Sequence, residues 1–217
     1  MSLLDLLFPP RCAGCGRYGA NWCTRCADAI EPIPEGILNG ISLVAGGRFA
    51  GPLQRAIHTY KYEGRRQLAA DLAPLLAQAV SRSGIRITAL AAIPLHPQRL
   101  NERGFNQAER LARALGMALH LPLVGGLTRI VATPAQVGLR QAERRVNLFG
   151  AFAWTATQAP PLGLALVDDV CTTGATLEAA AQAIQQAGGS IGAFLVLARA
   201  QTLPAPAVTS PDRFACP

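Results

Sequence analysis

Apolar residues between Pro52 and Ser83 recur at intervals of three and four positions, the spacing of one face of an α-helix. Glu63 and Gly64 interrupt this pattern, so we predict a short helix followed by a longer one. We predict a third helix from Gln107 to Leu119. Helices of this kind can cover the faces of a buried sheet.

Several apolar runs predict buried strands, and they alternate with the predicted helices. This alternation favours an α/β fold with a mostly parallel sheet covered on both faces. The pattern weakens between 125 and 161, where LTRIV and FGAFAW could pair as a hairpin around a charged excursion that we expect to be mobile. The predicted strands are ITALAAI (87–93), LGLALV (162–167) and IGAFLVLA (191–198).

A chain of 217 residues has room for one full α/β domain and a small appendage. The stretch EPIPEG, residues 31–36, contains two prolines and no periodicity, which is typical of a linker. We therefore predict a cysteine-rich unit over 1–35 and a main domain over 36–217. The segment after Leu203 is rich in proline and small residues, and we expect it to be irregular.

Half of the residues are apolar, but the apolar stretches are interrupted short of the roughly 18 residues that a membrane-spanning helix needs. The first residues, MSLLDLLFPPRC, include Asp5 and lack the basic start of a signal peptide. We therefore expect a cytoplasmic protein without membrane insertion.

The formal net charge of +7 should attract anions such as phosphorylated metabolites or nucleic acid. Lys61 is the only lysine among twenty basic residues. It is either the chance remainder of an arginine-favouring composition or a site where a compact ammonium is needed instead of a planar guanidinium.

The segment LGLALVDDVCTTGATLEAAAQAIQQAGG joins a buried strand to two acids, a turn of small residues and a helix. Thr172, Thr173 and Gly174 leave room for backbone N–H groups to wrap an anion, and a helix starting near Ala175 adds its positive dipole end. We predict a monophosphate site here, with Asp168 and Asp169 one loop away and suited to sugar hydroxyls. The alternative is a plain strand-to-helix turn with an Asp-rich cap.

This segment resembles the motif by which type I phosphoribosyltransferases bind 5-phosphoribosyl 1-diphosphate (PRPP). The resemblance implies that Asp168 and Asp169 hold the ribose hydroxyls and that magnesium arrives with PRPP. It also implies a 5-phosphate site formed by Cys171, Thr172, Thr173, Gly174, Ala175 and Thr176. Cys171 departs from the pattern, because an aliphatic residue is commoner there.

Arg99 and Arg103 fall between the strand at 87–93 and the third helix, and we predict that they lie in a loop. Two guanidinium groups there could clamp a diphosphate. The alternative is a solvated helix face. In the type I fold the loop after this strand binds the pyrophosphate of PRPP, so the resemblance favours the clamp.

Four segments follow one another in a characteristic order: a cysteine ribbon, HPQRLNERGFNQAE, TPAQVGLRQAERRVNLFGAF and the phosphate loop. In this the chain resembles the ComF family of bacterial competence and DNA-utilisation proteins. That family combines a double-CxxC zinc ribbon with a type I phosphoribosyltransferase domain. The resemblance implies this fold, a phosphoribosyl ligand and a role for Lys61, which matches a family lysine and would contact phosphate.

The same resemblance implies a flexible loop over the site at about 129–149. On a helix, Gln136, Arg140 and Arg144 would lie on one face, and Arg145 would extend its basic edge. Such a face could contact either a diphosphate or a nucleic-acid backbone. The loop residues assigned to this role are Gln136, Arg140, Arg144, Arg145 and Asn147.

Two CxxC pairs, Cys12 with Cys15 and Cys23 with Cys26, have the layout of two knuckles that face one tetrahedral zinc ion. In a reducing cytosol such a set favours zinc over disulfides, and four thiolates leave no open position, so the zinc should be structural. Cys171 and Cys216 remain as predicted free thiols.

Basic and aromatic residues flank the four cysteines, a combination that suits single-stranded nucleic acid. The alternative is that the ribbon packs only on the main domain or on a partner. The flanking residues are Arg11, Arg17, Tyr18, Trp22 and Arg25.

Three functions remain open. The first is a protein of DNA uptake or utilisation that binds PRPP and single-stranded DNA, with a DNA-uptake protein as a further partner. The second is a phosphoribosyltransferase whose base or amine acceptor is not identified, and the third is a PRPP-sensing regulator without turnover.

Overall fold

The computed structural model describes residues 9–130 and 150–200. The helices are α1 (Thr24–Asp28), α2 (Gly51–Tyr62), α3 (Leu68–Ser83), α4 (Pro97–Arg103), α5 (Gln107–Leu119) and α6 (Ala175–Gln186). The strands are β1 (Gly36–Leu38), β2 (Ile41–Arg48), β3 (Ala89–Ala92), β4 (Leu127–Arg129), β5 (Phe152–Trp154), β6 (Leu164–Cys171) and β7 (Ile191–Arg199).

The main sheet has five strands in the order β1-β2-β7-β6-β3. β2, β7, β6 and β3 run parallel, and β1 pairs antiparallel with β2 at its edge. Because the parallel strands share one direction, the carboxyl ends of β6 and β7 and the loops after β3 meet at one edge of the sheet. Ligands of open α/β folds bind at this edge.

Apolar clusters cover the two faces of the sheet. On one face, α2, α3 and α5 bury residues such as Tyr60, Leu72 and Leu111 against inward-facing β6 and β7 side chains. On the other face, α6 buries Leu177 and Ile184 in the same way. The α/β prediction with a mostly parallel sheet covered on both faces is confirmed.

The predicted helices coincide with α2, α3 and α5, and the three predicted strands coincide with β3, β6 and β7. The predicted hairpin is also present, since β4 pairs antiparallel with β5. The apolar pattern did not predict β1, β2, α1 or α4. In β2 a reason is visible: glycines interrupt its apolar run, and a Cβ at Gly46 would lie 2.9 Å from the Leu197 carbonyl oxygen.

None of the helices within residues 9–130 and 150–200 is both long enough and apolar enough to cross a bilayer.

Candidate functional site

The acidic pair lies at the carboxyl end of the central strand β6. Sequence analysis placed Asp168 and Asp169 in the loop after the strand, but β6 continues through Cys171. β6 extends beyond its apolar run because its carboxyl end lies at the edge of the sheet, at the candidate site, and not in the apolar core. Side chains alternate along a strand, so the two carboxylates leave β6 on opposite faces.

The turn after β6 is held by a left-handed glycine and by a hydrogen bond between two of its own residues. Gly174 caps α6 in a left-handed conformation with φ of 84°. A Cβ there would lie 2.5 Å from Leu38 Cδ2, so only glycine fits beneath β1. The backbone N–H of Ala175 donates to Thr173 Oγ1 at 3.4 Å. Thr172 is exposed and Thr176 is half-buried, so both hydroxyls lie near solvent at the start of α6.

Lys61, from the last turn of α2, reaches the acidic pair. Its Nζ lies 2.7 Å from Asp169 Oδ1, and both side chains are largely buried. The partner of Lys61 in the structure is thus a carboxylate, and its predicted contact with a phosphate stays a prediction. The backbone N–H of Asp169 donates to Asp168 Oδ1 at 2.8 Å.

Asp168 has a strongly shifted pKa. Burial and the neighbouring charge of Asp169 raise the pKa of this carboxyl to about 7, although Lys61, the Asp169 N–H and Arg103 act to lower it. In such an environment a nearby cation or hydroxyl donors would stabilise the ionised form of the carboxyl. A strongly shifted pKa of this kind marks Asp168 as a candidate functional residue.

We predicted that Arg99 and Arg103 lie in a loop, but both lie on the short helix α4. His96 caps this helix, because its Nδ1 accepts from the Gln98 N–H, and Pro97 starts it. The sequence pattern did not predict this helix of seven residues, because none of them is buried and so they carry no apolar period.

Arg103 is held by three contacts near the acidic pair. It donates from Nη1 to Gln107 Oε1 at 3.1 Å and from Nη2 to Tyr62 Oη at 3.4 Å. Its guanidinium carbon also lies 5.0 Å from the Tyr62 ring centroid. Sequence analysis did not single out Gln107 or Tyr62. Gln107 could have been found as a polar residue on the buried face of α5, where it is 1% exposed.

Arg99 is exposed and lies on the side of α4 that approaches the β4–β5 hairpin. Burial, together with the positive charge of Arg99, lowers the pKa of Arg129 at the end of β4. Two nearby cations favour an anion between them. The predicted clamp of Arg99 with Arg103 stays a prediction. Arg129 was counted as the first residue of the predicted flexible loop, and the structure assigns it to a strand.

The other loop predictions fall outside the described residues, and so does the predicted free thiol of Cys216. The loop residues concerned are Gln136, Arg140, Arg144, Arg145 and Asn147.

Cys171 is a buried thiol at the end of β6. Burial, the main cause, and the charge of Asp168 raise its pKa to about 12, so the thiol is protonated and weakly reactive. It forms no disulfide. Its register partner on β7 is Arg199, a buried arginine whose guanidinium leaves no room for a side chain at Gly36.

The four ribbon cysteines converge on one point. Their sulfur atoms all lie within 4.8 Å of one another, and the Cys12–Cys26 and Cys15–Cys23 pairs are each 3.7 Å apart. Four thiolates around zinc at about 2.3 Å would place their sulfurs about 3.8 Å apart, so this set fits a tetrahedral zinc ion.

Backbone groups around the cysteines also fit a zinc knuckle. Cys12 Sγ accepts N–H groups of Gly14 and Cys23, each at 3.4 Å. Burial raises the pKa of Cys12, but hydrogen bonds from backbone groups of Cys23, Cys15 and Gly14 outweigh it and lower the pKa to about 6. Cys26, in contrast, has a pKa raised by burial and by the neighbouring thiols. A bound metal ion would stabilise all four cysteines as thiolates, so that none of them would need to hold a proton.

The ribbon is joined to the main domain by two arginines. Arg55 of α2 donates from Nε to the Gly14 carbonyl oxygen at 2.5 Å. Arg65, between α2 and α3, donates from Nη2 to the Arg11 carbonyl oxygen and to Asn21 Oδ1, each at 2.7 Å. The predicted alternative that the ribbon packs on the main domain is therefore observed, and it leaves the nucleic-acid prediction open.

Comparison with known proteins agrees with these two parts. Residues 3–37 match the double zinc ribbon domain family. The chain is 31% identical over 188 residues to competence protein F of Haemophilus influenzae, covering 82% of this chain and 80% of that protein. It is also 31% identical over 187 residues to DNA utilization protein YhgH of Salmonella typhimurium, covering 82% and 79%. The chain belongs to the ComF family.

Among solved structures, this ComF-family chain is similar to adenine phosphoribosyltransferase from Thermoanaerobacter pseudethanolicus. The identity is 17%, the TM-score is 0.41, and the match covers 81% of this chain and 86% of that one. At that score the family assignment rests on the sequence relatives. The predicted fold class, a phosphoribosyltransferase-type α/β domain behind a four-cysteine zinc ribbon, is confirmed by family membership, sheet topology and the cysteine cluster.

Proposed function

We propose that this ComF-family protein binds magnesium–PRPP, or a related phosphoribosyl ligand, after β6 and acts on single-stranded DNA in DNA uptake or utilisation. One observation carries the ligand class: two carboxylates at the end of a central parallel strand lead directly into a glycine-capped helix N-terminus. The names of the relatives, which refer to competence and DNA utilisation, support the role in DNA metabolism.

The ligand's parts match the chemistry of this edge. The backbone N–H groups from Thr172 to Ala175 and the dipole of α6 suit a dianionic 5-phosphate. Asp168 and Asp169 suit the ribose hydroxyls, and Arg99 and Arg103 suit the diphosphate, with magnesium carried by the ligand. Lys61 would exchange its contact with Asp169 for one with the ligand, since the carboxylate then accepts from ribose hydroxyls.

A second candidate function is phosphoribosyl transfer to a base or amine. It is favoured by the completeness of the acid pair and loop, because transfer from PRPP needs mainly positioning and charge stabilisation around a leaving diphosphate. The assay is release of pyrophosphate from magnesium–PRPP in the presence of nucleobases. Turnover supports the enzyme, and binding without turnover supports a DNA-handling or sensing protein.

The ligand proposal is tested by thermal unfolding with and without millimolar magnesium–PRPP. A ligand that binds only the folded chain must raise Tm, by an amount that grows with ligand concentration. Ribose 5-phosphate should produce a smaller shift because it lacks the diphosphate. If magnesium–PRPP leaves Tm unchanged and gives no heat of binding, the ligand proposal is wrong.

We also propose that Cys12, Cys15, Cys23 and Cys26 hold one structural zinc ion, which would close the ribbon with no position left for substrate. Metal analysis of the purified chain should find about one zinc per chain. The double variant Cys12→Ser/Cys15→Ser should lose it, whereas Cys171→Ser, which alters a buried thiol far from the ribbon, should retain it. Full zinc content in the double variant would contradict the assignment.

A further inference from the structure

A continuous series of arginine and tyrosine side chains extends from the ribbon to the acidic pair. One end lies on the ribbon, the middle lies at the connection between α2 and α3, and the other end lies where α2 meets α4. We call this surface the Arg–Tyr band, and it consists of Arg11, Tyr18, Arg65, Arg66, Tyr62 and Arg103.

At the ribbon end, Tyr18 presents its ring to solvent and is 62% exposed. The Arg11 guanidinium carbon lies 4.5 Å from the centroid of this ring, and Arg11 Nη2 donates to the Tyr18 hydroxyl. The two residues are also paired by an antiparallel bridge of the backbone. An exposed ring is therefore held in place beside a cation.

In the middle of the band, two consecutive arginines contact different parts of the molecule. Arg65 donates to the Arg11 carbonyl oxygen on the ribbon. Arg66, which is exposed, lies 5.3 Å from the Phe105 ring centroid and donates from Nη2 to the Gly104 carbonyl oxygen at 3.3 Å. Gly104 directly follows Arg103, so this pair joins the ribbon to the far end of the band.

At the far end, Tyr62 is 63% exposed and pairs with Arg103 as the ribbon tyrosine pairs with Arg11. Its ring also lies 4.7 Å, between centroids, from the ring of His58 one turn earlier on α2. Arg103 is close enough to Asp168 to act on its charge. The band thus ends beside the proposed phosphoribosyl site.

The arginines of the band have no salt-bridge partner among the described residues, although the charge of Arg65 acts to lower the pKa of Asp71 and that of Arg103 acts to lower the pKa of Asp168. In the parts of the chain that the structure describes, the salt bridges involve Arg48, Lys61 and Arg113, and none involves an arginine of the band. Arginines that form no salt bridge keep charge available for an external anion. Exposed rings beside them offer faces on which unpaired bases can stack.

We infer that the Arg–Tyr band is the binding path of single-stranded DNA, which crosses from the zinc ribbon to the phosphoribosyl site. This inference rests on the proposed DNA function and adds where the strand lies. A single strand fits better than a duplex, because the tyrosine faces can stack only with bases that are not already stacked in a helix. It also explains why the ribbon is fixed to the main domain through residues of the band.

The test is fluorescence anisotropy with a labelled oligo-dT at low salt, using the full zinc-loaded chain. Tyr18→Ala and Tyr62→Ala should each weaken binding roughly 5- to 100-fold, because each removes a stacking face. Tyr18→Phe and Tyr62→Phe keep the ring and should stay within about twofold of the original chain. Arg66→Gln should reduce the slope of log affinity against log salt by about 0.7, as expected for one lost phosphate contact.

Arg82→Gln is the matched arginine control. Arg82 lies in the last turn of α3, about 21 Å along the helix axis from Leu68, the end of the helix nearest the band. This variant should bind the oligonucleotide with unchanged affinity and salt slope. Zinc content should be unaltered in every variant, which separates loss of the surface from loss of the fold.

The outcomes distinguish the band from the proposed function. If the original chain does not bind oligo-dT at low salt, both the proposed DNA function and the inference about the band are wrong. If it binds but both alanine variants bind equally well, the DNA function stands and the band is overturned. If oligo-rU of the same length binds at least tenfold more tightly than oligo-dT, the band is an RNA path and the assignment to DNA is wrong.

Discussion

Asp168 and Asp169 are neighbours with different environments, because consecutive side chains leave β6 on opposite faces. Asp169 is paired with Lys61 at 2.7 Å, whereas Asp168 accepts a backbone N–H and stands at the site with a raised pKa. One acid is therefore neutralised inside the chain and the other lacks a full counter-charge. This division favours Asp168 as the group that gains most when a cation or ribose arrives.

The raised pKa of Asp168 gives a prediction for stability. Its ordinary pKa is 3.8 and its folded value is about 7, so between these pH values the folded chain holds a proton that the unfolded chain has released. This group therefore lowers stability as pH rises through that window. Asp168→Asn should raise the free energy of unfolding by about 1 to 3 kcal/mol at pH 8 and change it little near pH 4.

Urea unfolding at the two pH values measures this difference. The same variant should weaken magnesium–PRPP binding, since an amide cannot supply the negative charge. Asp28→Asn, at an exposed position on α1, is the control and should change neither property. A variant that is less stable than the original chain at pH 8 would contradict the account of Asp168.

At the scale of elements, the β6–α6 connection combines strand, turn and helix in one local unit. The acids precede a turn of small residues, and Gly174 begins α6 with a positive φ beneath Leu38 of β1. The other end of α6 is followed by Gly188, whose φ of 87° is nearly the same but whose missing Cβ would meet nothing within 4 Å. Both glycines therefore need a left-handed backbone, but only Gly174 is also packed closely against a neighbouring side chain.

Gly174→Ala and Gly188→Ala use this difference. Gly188→Ala should cost about 1 kcal/mol from the left-handed backbone alone. Gly174→Ala carries the same cost and a collision with Leu38, so we expect a further 1 to 3 kcal/mol. It should also abolish binding of magnesium–PRPP, which Gly188→Ala should retain. Equal losses of stability in thermal or urea unfolding would show that β1 does not press on the turn.

At the scale of the whole molecule, the ribbon and the α/β domain are joined by the residues proposed to bind DNA. Arg65 donates a hydrogen bond to the ribbon backbone. Arg103 stacks on Tyr62 and lies close enough to Asp168 to act on its pKa. The two proposed ligands would therefore compete for the charge of Arg103. Shared charge of this kind couples two binding sites, and the coupling must be reciprocal.

Saturating magnesium–PRPP should weaken oligo-dT binding a few-fold, about the effect of withdrawing one phosphate contact. Oligo-dT should weaken PRPP binding by the same factor, measured by titration calorimetry in both orders. Arg103→Gln should remove the coupling, and Arg113→Gln, whose arginine pairs with Glu109 on α5, should keep it. Coupling of equal size in both variants would exclude Arg103 as the shared group.

Three helices, three main strands and the turn after β6 could be predicted from the sequence because each depends on residues close together in the chain. Periodic apolar spacing marks α2, α3 and α5, and the run of apolar residues, acids, small residues and helix marks the site after β6. Two CxxC pairs likewise place four sulfurs together with little help from the rest of the fold. The short helix α4 and the glycine-containing strand β2 could not be predicted in this way, because neither has a clear apolar period.

The sequence by itself therefore determined the α/β class, the cysteine ribbon and the turn after β6, since local periodicity and spacing are enough to form them. Only the tertiary structure decided that Lys61 meets Asp169, that Gln107 and Tyr62 hold Arg103, and that Arg65 links the ribbon to the main domain. Each of these contacts joins elements that are distant in the chain. Their geometry follows from how the helices pack on the sheet, which no local pattern encodes.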